Sequence, residues 1–185
     1  MHRCSIQKVI MNMINNETPQ ESAKARAVQE EIIFNQWATF KVNDELFAID
    51  VIQVKEVLRY SEITPVPGSS SYVRGIINLR GNVVSVLDTR VLFSLQATKP
   101  DENTRIIIVE YNETEVVGIV VDSADEVINI PQKSMERAPS ITSDDKDRKF
   151  VQGVSYYENK LVILLDLAKM LASTVAELED KSCVA

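Results

Sequence analysis

The chain has 185 residues, 45% of them hydrophobic and 25% charged, with a formal net charge of −7. This is the composition of an ordinary folded domain, or of two small subdomains sharing a core, and its acidity argues against a broad nucleic-acid surface, which needs a dense basic patch. The longest apolar runs, Arg105-Ile106-Ile107-Ile108-Val109 and Leu161-Val162-Ile163-Leu164-Leu165, are strand-length and far too short to cross a bilayer, and the first residues lack the apolar stretch and cleavage site of a secretory signal.

In chain order, residues 1–35 read as an N-terminal extension, weakly helical or disordered. Glu21 to Glu31 is helix-friendly, but its apolar content is mostly alanine and offers little to pack. The folded region is expected from Gln36. Gln36 to Val42 alternates as a strand, with Trp37, Thr39 and Lys41 on one face and Ala38, Phe40 and Val42 on the other. Asn43-Asp44-Glu45 forms a turn and Leu46 to Ile49 returns as a second strand. Asp50 is placed to cap a helix predicted over Val51–Leu58, whose Val51, Val54, Val57 and Leu58 share a face. Thr64-Pro65-Val66-Pro67-Gly68 is extended and incompatible with a helix. Two strands, Val73 to Arg80 and Val83 to Leu87, flank a turn at Gly81-Asn82. Asp88 then precedes a short helical pattern, Thr89 to Phe93, and a polar linker runs from Gln96 to Asn103.

The second half of the chain repeats the first. At one constant offset Val73-Arg74-Gly75 falls on Val151-Gln152-Gly153, Val84 on Val162, Leu87 on Leu165 and Asp88 on Asp166. At a shorter offset Phe47-Ala48-Ile49 falls on Val117-Gly118-Ile119, and Glu56-Val57 on Glu126-Val127. The difference is a longer polar loop in the second half, Pro139 to Arg148. Each half offers about five short strands, too few for open sheets without exposed edges. The expected fold is therefore mainly β: two small barrels of about five strands each, packed side by side, with short helices. Residues 36–172 form the domain, with halves at about 36–95 and 105–172 whose interleaving is left open, and 173–185 form a tail.

The usual tools of catalysis are missing. His2, the only histidine, lies in the extension, which removes the common proton shuttle and the Ser-His or Cys-His pairs. The spacings permit no zinc site of paired Cys and His, and the isolated glycines make no phosphate cradle. Cys4 and Cys183 read as two thiols in a reducing compartment rather than a bridge. Asp144-Asp145-Lys146-Asp147 reads as a solvated loop before a cation site. Asp88 and Asp166, at equivalent hairpin exits, read as caps before an acid-base pair. No enzyme, cofactor or metal is expected; a carboxylate-based metal hydrolase is the alternative of a different class.

Phe47 to Leu58 resembles the stretch that opens CheW domains. Tyr72 to Arg90, with its Asn78-Leu79-Arg80-Gly81 turn and its hairpin ending in Asp88, resembles their most distinctive motif. Val117 to Asp122 and Phe150 to Val154 are similar to the two motifs of the second half. The resemblance runs from about Gln36 to Ala172. It implies two intertwined SH3-like β-barrels without catalytic activity, binding the regulatory domain of a CheA-type histidine kinase and the cytoplasmic tip of methyl-accepting chemoreceptors. It implies a cytoplasmic adaptor that meets the inner membrane only through receptors. An adaptor of a surface or twitching motility pathway is the runner-up. A CheV protein, in which a similar domain is fused to a receiver domain, is not expected unless this chain is a fragment.

By motif position Arg80 matches the family arginine implicated in receptor coupling, and Glu56 the family glutamate on the first helix. Arg80 also stands where it can pair locally with Glu56 or Asp88. Val54 is either core or a partial groove liner. Gly75 either admits a partner backbone or marks a bulge or crowded strand crossing.

Overall fold

The computed structural model describes residues 32–110, 115–137 and 150–172. Residues 1–31, the loop 139–148 with its acidic run, both cysteines and the tail lie outside the described residues.

The described chain runs β1 (Phe34–Val42), β2 (Glu45–Asp50), β3 (Val54–Arg59), β4 (Val73–Leu79), β5 (Asn82–Asp88), β6 (Arg105–Glu110), β7 (Val116–Val121), β8 (Ser123–Pro131), β9 (Glu136–Arg137), β10 (Val151–Tyr157) and β11 (Lys160–Leu165). Helix is scarce: one turn at Thr89–Leu92, 3-10 turns at Val51–Gln53 and Gln132–Ser134, and residues 167–172. The mainly-β expectation holds.

One expected element is corrected. Val51–Leu58 is not a helix but a 3-10 turn followed by β3. Asp50 caps as expected, accepting from the Ile52 amide at 3.0 Å, but the cap opens a single tight turn. Thereafter Val54, Glu56 and Leu58 point inward while Lys55, Val57 and Arg59 are exposed, a period of two. The segment is rich in β-branched residues, which fit a pleated surface and lose rotamer freedom in a helix. Val57, expected on a buried helical face, is 49% exposed.

The strands form a six-stranded sheet, β8-β1-β2-β11-β10-β9, and a five-stranded sheet, β3-β6-β7-β5-β4. Both follow the same plan with their leading hairpins exchanged. Hairpin β1–β2 leaves the first half to lie between β8 and β11, and hairpin β6–β7 leaves the second half to lie between β3 and β5. The parallel pairings match position for position: Phe47 faces Ile163 in one sheet and Val117 faces Ser85 in the other. Even the ion pairs correspond: Lys41 meets Asp125 across β1 and β8, and Lys55 meets Glu110 across β3 and β6.

Burial follows this plan. One cluster (Trp37, Ala48, Ile128, Ile130, Val162, Leu164) lies under the larger sheet, and another (Ile77, Val84, Val86, Ile106, Ile108) under the smaller. The largest cluster draws on both, with Phe40, Val42 and Ile49 from one sheet meeting Leu87, Val109 and Ile119 from the other. The middle strands are therefore buried on both faces, which is why β6 reads as an unbroken apolar run. Each such large side chain contributes about 1.5–3 kcal/mol. The smaller sheet also curls: Thr64, on the chain leaving edge strand β3, exchanges two backbone hydrogen bonds of 2.9 Å with Ile76 on edge strand β4. That curl is consistent with an SH3-like subdomain.

Candidate functional site

Leu79 pairs with Asn82, so only Arg80 and Gly81 form the β4–β5 loop. Both have positive φ, 52° and 92°, the pattern of a type I′ hairpin turn whose twist matches the flanking strands. An L-residue other than Gly, Asn or Asp is uncommon there and costs roughly 1–2 kcal/mol. The Gly81 amide donates to Asn78 Oδ1 at 2.8 Å and helps to hold the loop. The tip of a rigid hairpin thus carries the Arg80 side chain, which is 80% exposed.

Its guanidinium donates to Glu56 Oε2 at 2.9 Å. Glu56 lies on β3, at the opposite edge of the same sheet, and its side chain is only 25% exposed. The curl of the sheet, absent from any local reading, is what joins them. Of the two local partners considered for Arg80, Glu56 is the one taken; Asp88 is occupied by Arg74 Nη1 at 3.2 Å. An ion pair this exposed stabilises the fold by about 0–1 kcal/mol. Stability therefore gives little reason for an arginine at this tip.

The other two candidates sit differently. Val54 pairs with Val109 and is half-buried against the shared core. Gly75 is buried at a register shift in the β4–β5 ladder. A Cβ on Gly75 would lie 2.2 Å from the Thr64 carbonyl oxygen. The chain's own backbone occupies the space, so a crowded crossing accounts for this glycine without a partner. Its repeat mate Gly153 is crowded the same way, by the Glu136 carbonyl at 2.6 Å.

Asp88 and Asp166 cap. Asp88 Oδ1 accepts from the Arg90 and Val91 amides at 3.0 and 3.3 Å, and Asp166 Oδ1 from the Lys169 amide at 3.0 Å. Burial opposes the ionisation of Asp166, but the Lys169 amide and ammonium outweigh it and hold the carboxyl below its ordinary value. Beside Asp88, Arg90 grips Asp122 bidentately, Nε to Oδ1 at 2.8 Å and Nη2 to Oδ2 at 2.6 Å. The hydrogen bond to Asp122 raises the Arg90 pKa further. Asp122 also accepts from the Asn43 amide at 2.6 Å, so one carboxylate ties the β1–β2 turn to the end of β7 and the Thr89–Leu92 turn. Arg74, Asp88, Arg90 and Asp122 line a small depression in which these charges satisfy one another. Among the described residues no group of three or more His, Cys, Asp or Glu is placed to hold a metal ion.

Residues 36–175 match the family described as the CheW-like domain. The chain belongs to that family. The chemotaxis protein CheW of Bacillus subtilis (strain 168) is 39% identical over 132 residues, covering 71% of this chain and 83% of the relative. The chemotaxis protein CheW of Helicobacter pylori (strain ATCC 700392 / 26695) is 31% identical over 155 residues, covering 82% and 91%. In structure the CheW-like chain is similar to the scaffolding protein TtCheW from Thermoanaerobacter tengcongensis, with a TM-score of 0.68, 32% identity, and coverage of 75% of this chain and 92% of that one. Three residues of the CheW-like site escape the sequence reading: Asn78, Arg90 and Asp122. The repeat gives no signal for the last two: Arg90 falls on Ala168 and Asp122 on Ile52, but neighbours such as Thr89 on Leu167 and Ser123 on Gln53 differ as well.

Proposed function

We propose that the chain is a non-catalytic chemotaxis adaptor that couples a CheA-type histidine kinase to the cytoplasmic tip of methyl-accepting chemoreceptors. Family membership supports the scaffolding role; relatives carry the name chemotaxis protein CheW, and the structural relative is titled a scaffolding protein. The observation that carries the reading on this chain is the Arg80–Glu56 pair. An arginine is set at the tip of a rigid two-residue turn, in a backbone region costly for it, with its side chain 80% exposed. Interface hot spots are enriched in arginine. Arg80 and Glu56 contact the receptor, Val54 supports the strand that carries Glu56, and the kinase domain meets a different surface.

The mechanism is binding without chemistry. Holding two partners on one rigid body raises their local concentration, so modest individual affinities still give stable assemblies. The protein works in the cytoplasm and reaches the inner membrane only through receptors. The test is titration of the purified chain with a CheA regulatory domain and, separately, a receptor cytoplasmic fragment. Binding to both, with Arg80→Ala weakening the receptor alone, supports the reading; a folded chain that binds neither rejects it.

A further inference from the structure

We infer that Asn78 is a positioning residue for Arg80, locking the turn that aims the arginine at its partner; this rests on the reading of Arg80 as a receptor contact. The Gly81 amide that donates to Asn78 Oδ1 at 2.8 Å belongs to the peptide plane joining Arg80 to Gly81. Holding that plane restrains the rotation about the Arg80 Cα–C bond, one of the two backbone angles of a residue in the left-handed region at φ 52°. The guanidinium is fixed from the other end by Glu56 at 2.9 Å. Arg80 is thus held at both ends, backbone by Asn78 and side chain by Glu56.

The second half supplies the internal control. Its equivalent hairpin closes with the same pairing, Tyr157 to Lys160, and its turn residues Glu158 and Asn159 also have positive φ, 49° and 61°. In the repeat register Tyr156 stands where the first hairpin has Asn78. The same two-residue turn therefore forms without an amide side chain at that position, and the Asn78 contact is not what makes the hairpin. Arginine is not among the residues that favour the first position of such a turn. Without the contact the turn still closes, as Glu158 and Asn159 show, but the Arg80–Gly81 peptide plane loses a bond that holds it and the aim of the guanidinium loosens.

The test measures receptor-fragment affinity for the wild-type chain, Asn78→Ala, Asn78→Tyr, Asn78→Asp, Arg80→Ala and Asn78→Ala/Arg80→Ala, with affinity for the kinase regulatory domain as a folding control. Asn78→Tyr copies the residue that the twin hairpin accepts, and Asn78→Asp keeps the accepting oxygen. Loss of one hydrogen bond corresponds to about a fivefold change in population. Asn78→Ala and Asn78→Tyr are expected to weaken receptor binding by about that factor, Asn78→Asp to restore most of it, and the double variant to bind no more weakly than Arg80→Ala. Unchanged affinity in Asn78→Ala while Arg80→Ala loses binding overturns the positioning role. So does an additional loss in the double variant. If Arg80→Ala itself binds normally, the receptor reading of Arg80 falls and the positioning role falls with it, a failure seen in a different variant.

Discussion

Replacing Gly75 with alanine separates a residue that faces the chain's own backbone from one that faces a partner. The added Cβ would sit 2.2 Å from the Thr64 carbonyl oxygen and 2.8 Å from both the Thr64 carbonyl carbon and Ile63 Cγ2. Thr64 cannot retreat freely, because its amide and carbonyl both bond Ile76 at 2.9 Å. Gly75 also has φ 147°, a conformation that L-residues adopt at a cost of about 1–3 kcal/mol. Displacing Thr64 weakens two hydrogen bonds, each worth about 0.5–1.5 kcal/mol. The sum, about 2–6 kcal/mol, is a large share of a stability of about 5–15 kcal/mol. At about 2–4 °C per kcal/mol, thermal unfolding followed by circular dichroism is expected to show a loss of roughly 10 °C. Gly81→Ala is the comparator: it has φ 92° but nothing within 4 Å of its Cβ, and is expected to lose only about 1 kcal/mol. A Gly75→Ala protein that melts with the wild type while losing receptor binding would refute the reasoning.

Arg80→Ala and Glu56→Ala are expected to change stability by under about 1 kcal/mol each, with a comparably small coupling in a double-mutant cycle by urea unfolding; a coupling several times larger marks the pair as structural. Arg90→Ala removes two short charge-assisted hydrogen bonds to Asp122 from a side chain only 17% exposed, and is expected to cost about 2–3 kcal/mol, with Arg90→Lys recovering part. A cost within about 0.5 kcal/mol of zero counts against the three-way tie at Asp122. The Asp166 carboxyl has a depressed pKa when folded, so the unfolded chain takes up its proton first as pH falls. Its contribution is complete above the ordinary carboxylate range, near pH 4, and is lost as pH drops through the lower folded value. Asp166→Asn should flatten that part of the stability profile between about pH 2 and 5, and an unchanged slope contradicts the assignment.

The hairpins are legible in the sequence because their signals are local. Asn82 to Asp88 and Lys160 to Leu165 share a register with their partners, and Asp88 and Asp166 cap the helical turns after them, all within short spans. The stretch after Asp50 misleads because two periods coexist in it. Val51, Val54, Val57 and Leu58 match a helical stripe, while Val54, Glu56 and Leu58 also alternate, and the inward glutamate hides that alternation. Exchange of the leading hairpins is beyond a local reading, since β2 meets β11 and β5 meets β7 only through long-range parallel pairing. The pairing of Arg80 with Glu56 is legible as a choice between two carboxylates. What decides it, the curl that brings Thr64 onto Ile76, is a property of the whole sheet.

The coupling claim is tested most directly by asking whether one molecule of this chain holds both partners at once. Immobilised receptor cytoplasmic fragment is loaded with the chain and then challenged with a CheA regulatory domain, using wild type and Arg80→Ala. The account predicts that the wild type recruits the kinase domain to the receptor, and that Arg80→Ala still binds the kinase domain in solution but recruits little of it. A folded wild-type chain for which receptor and kinase domain compete, or which binds only one of them, contradicts it.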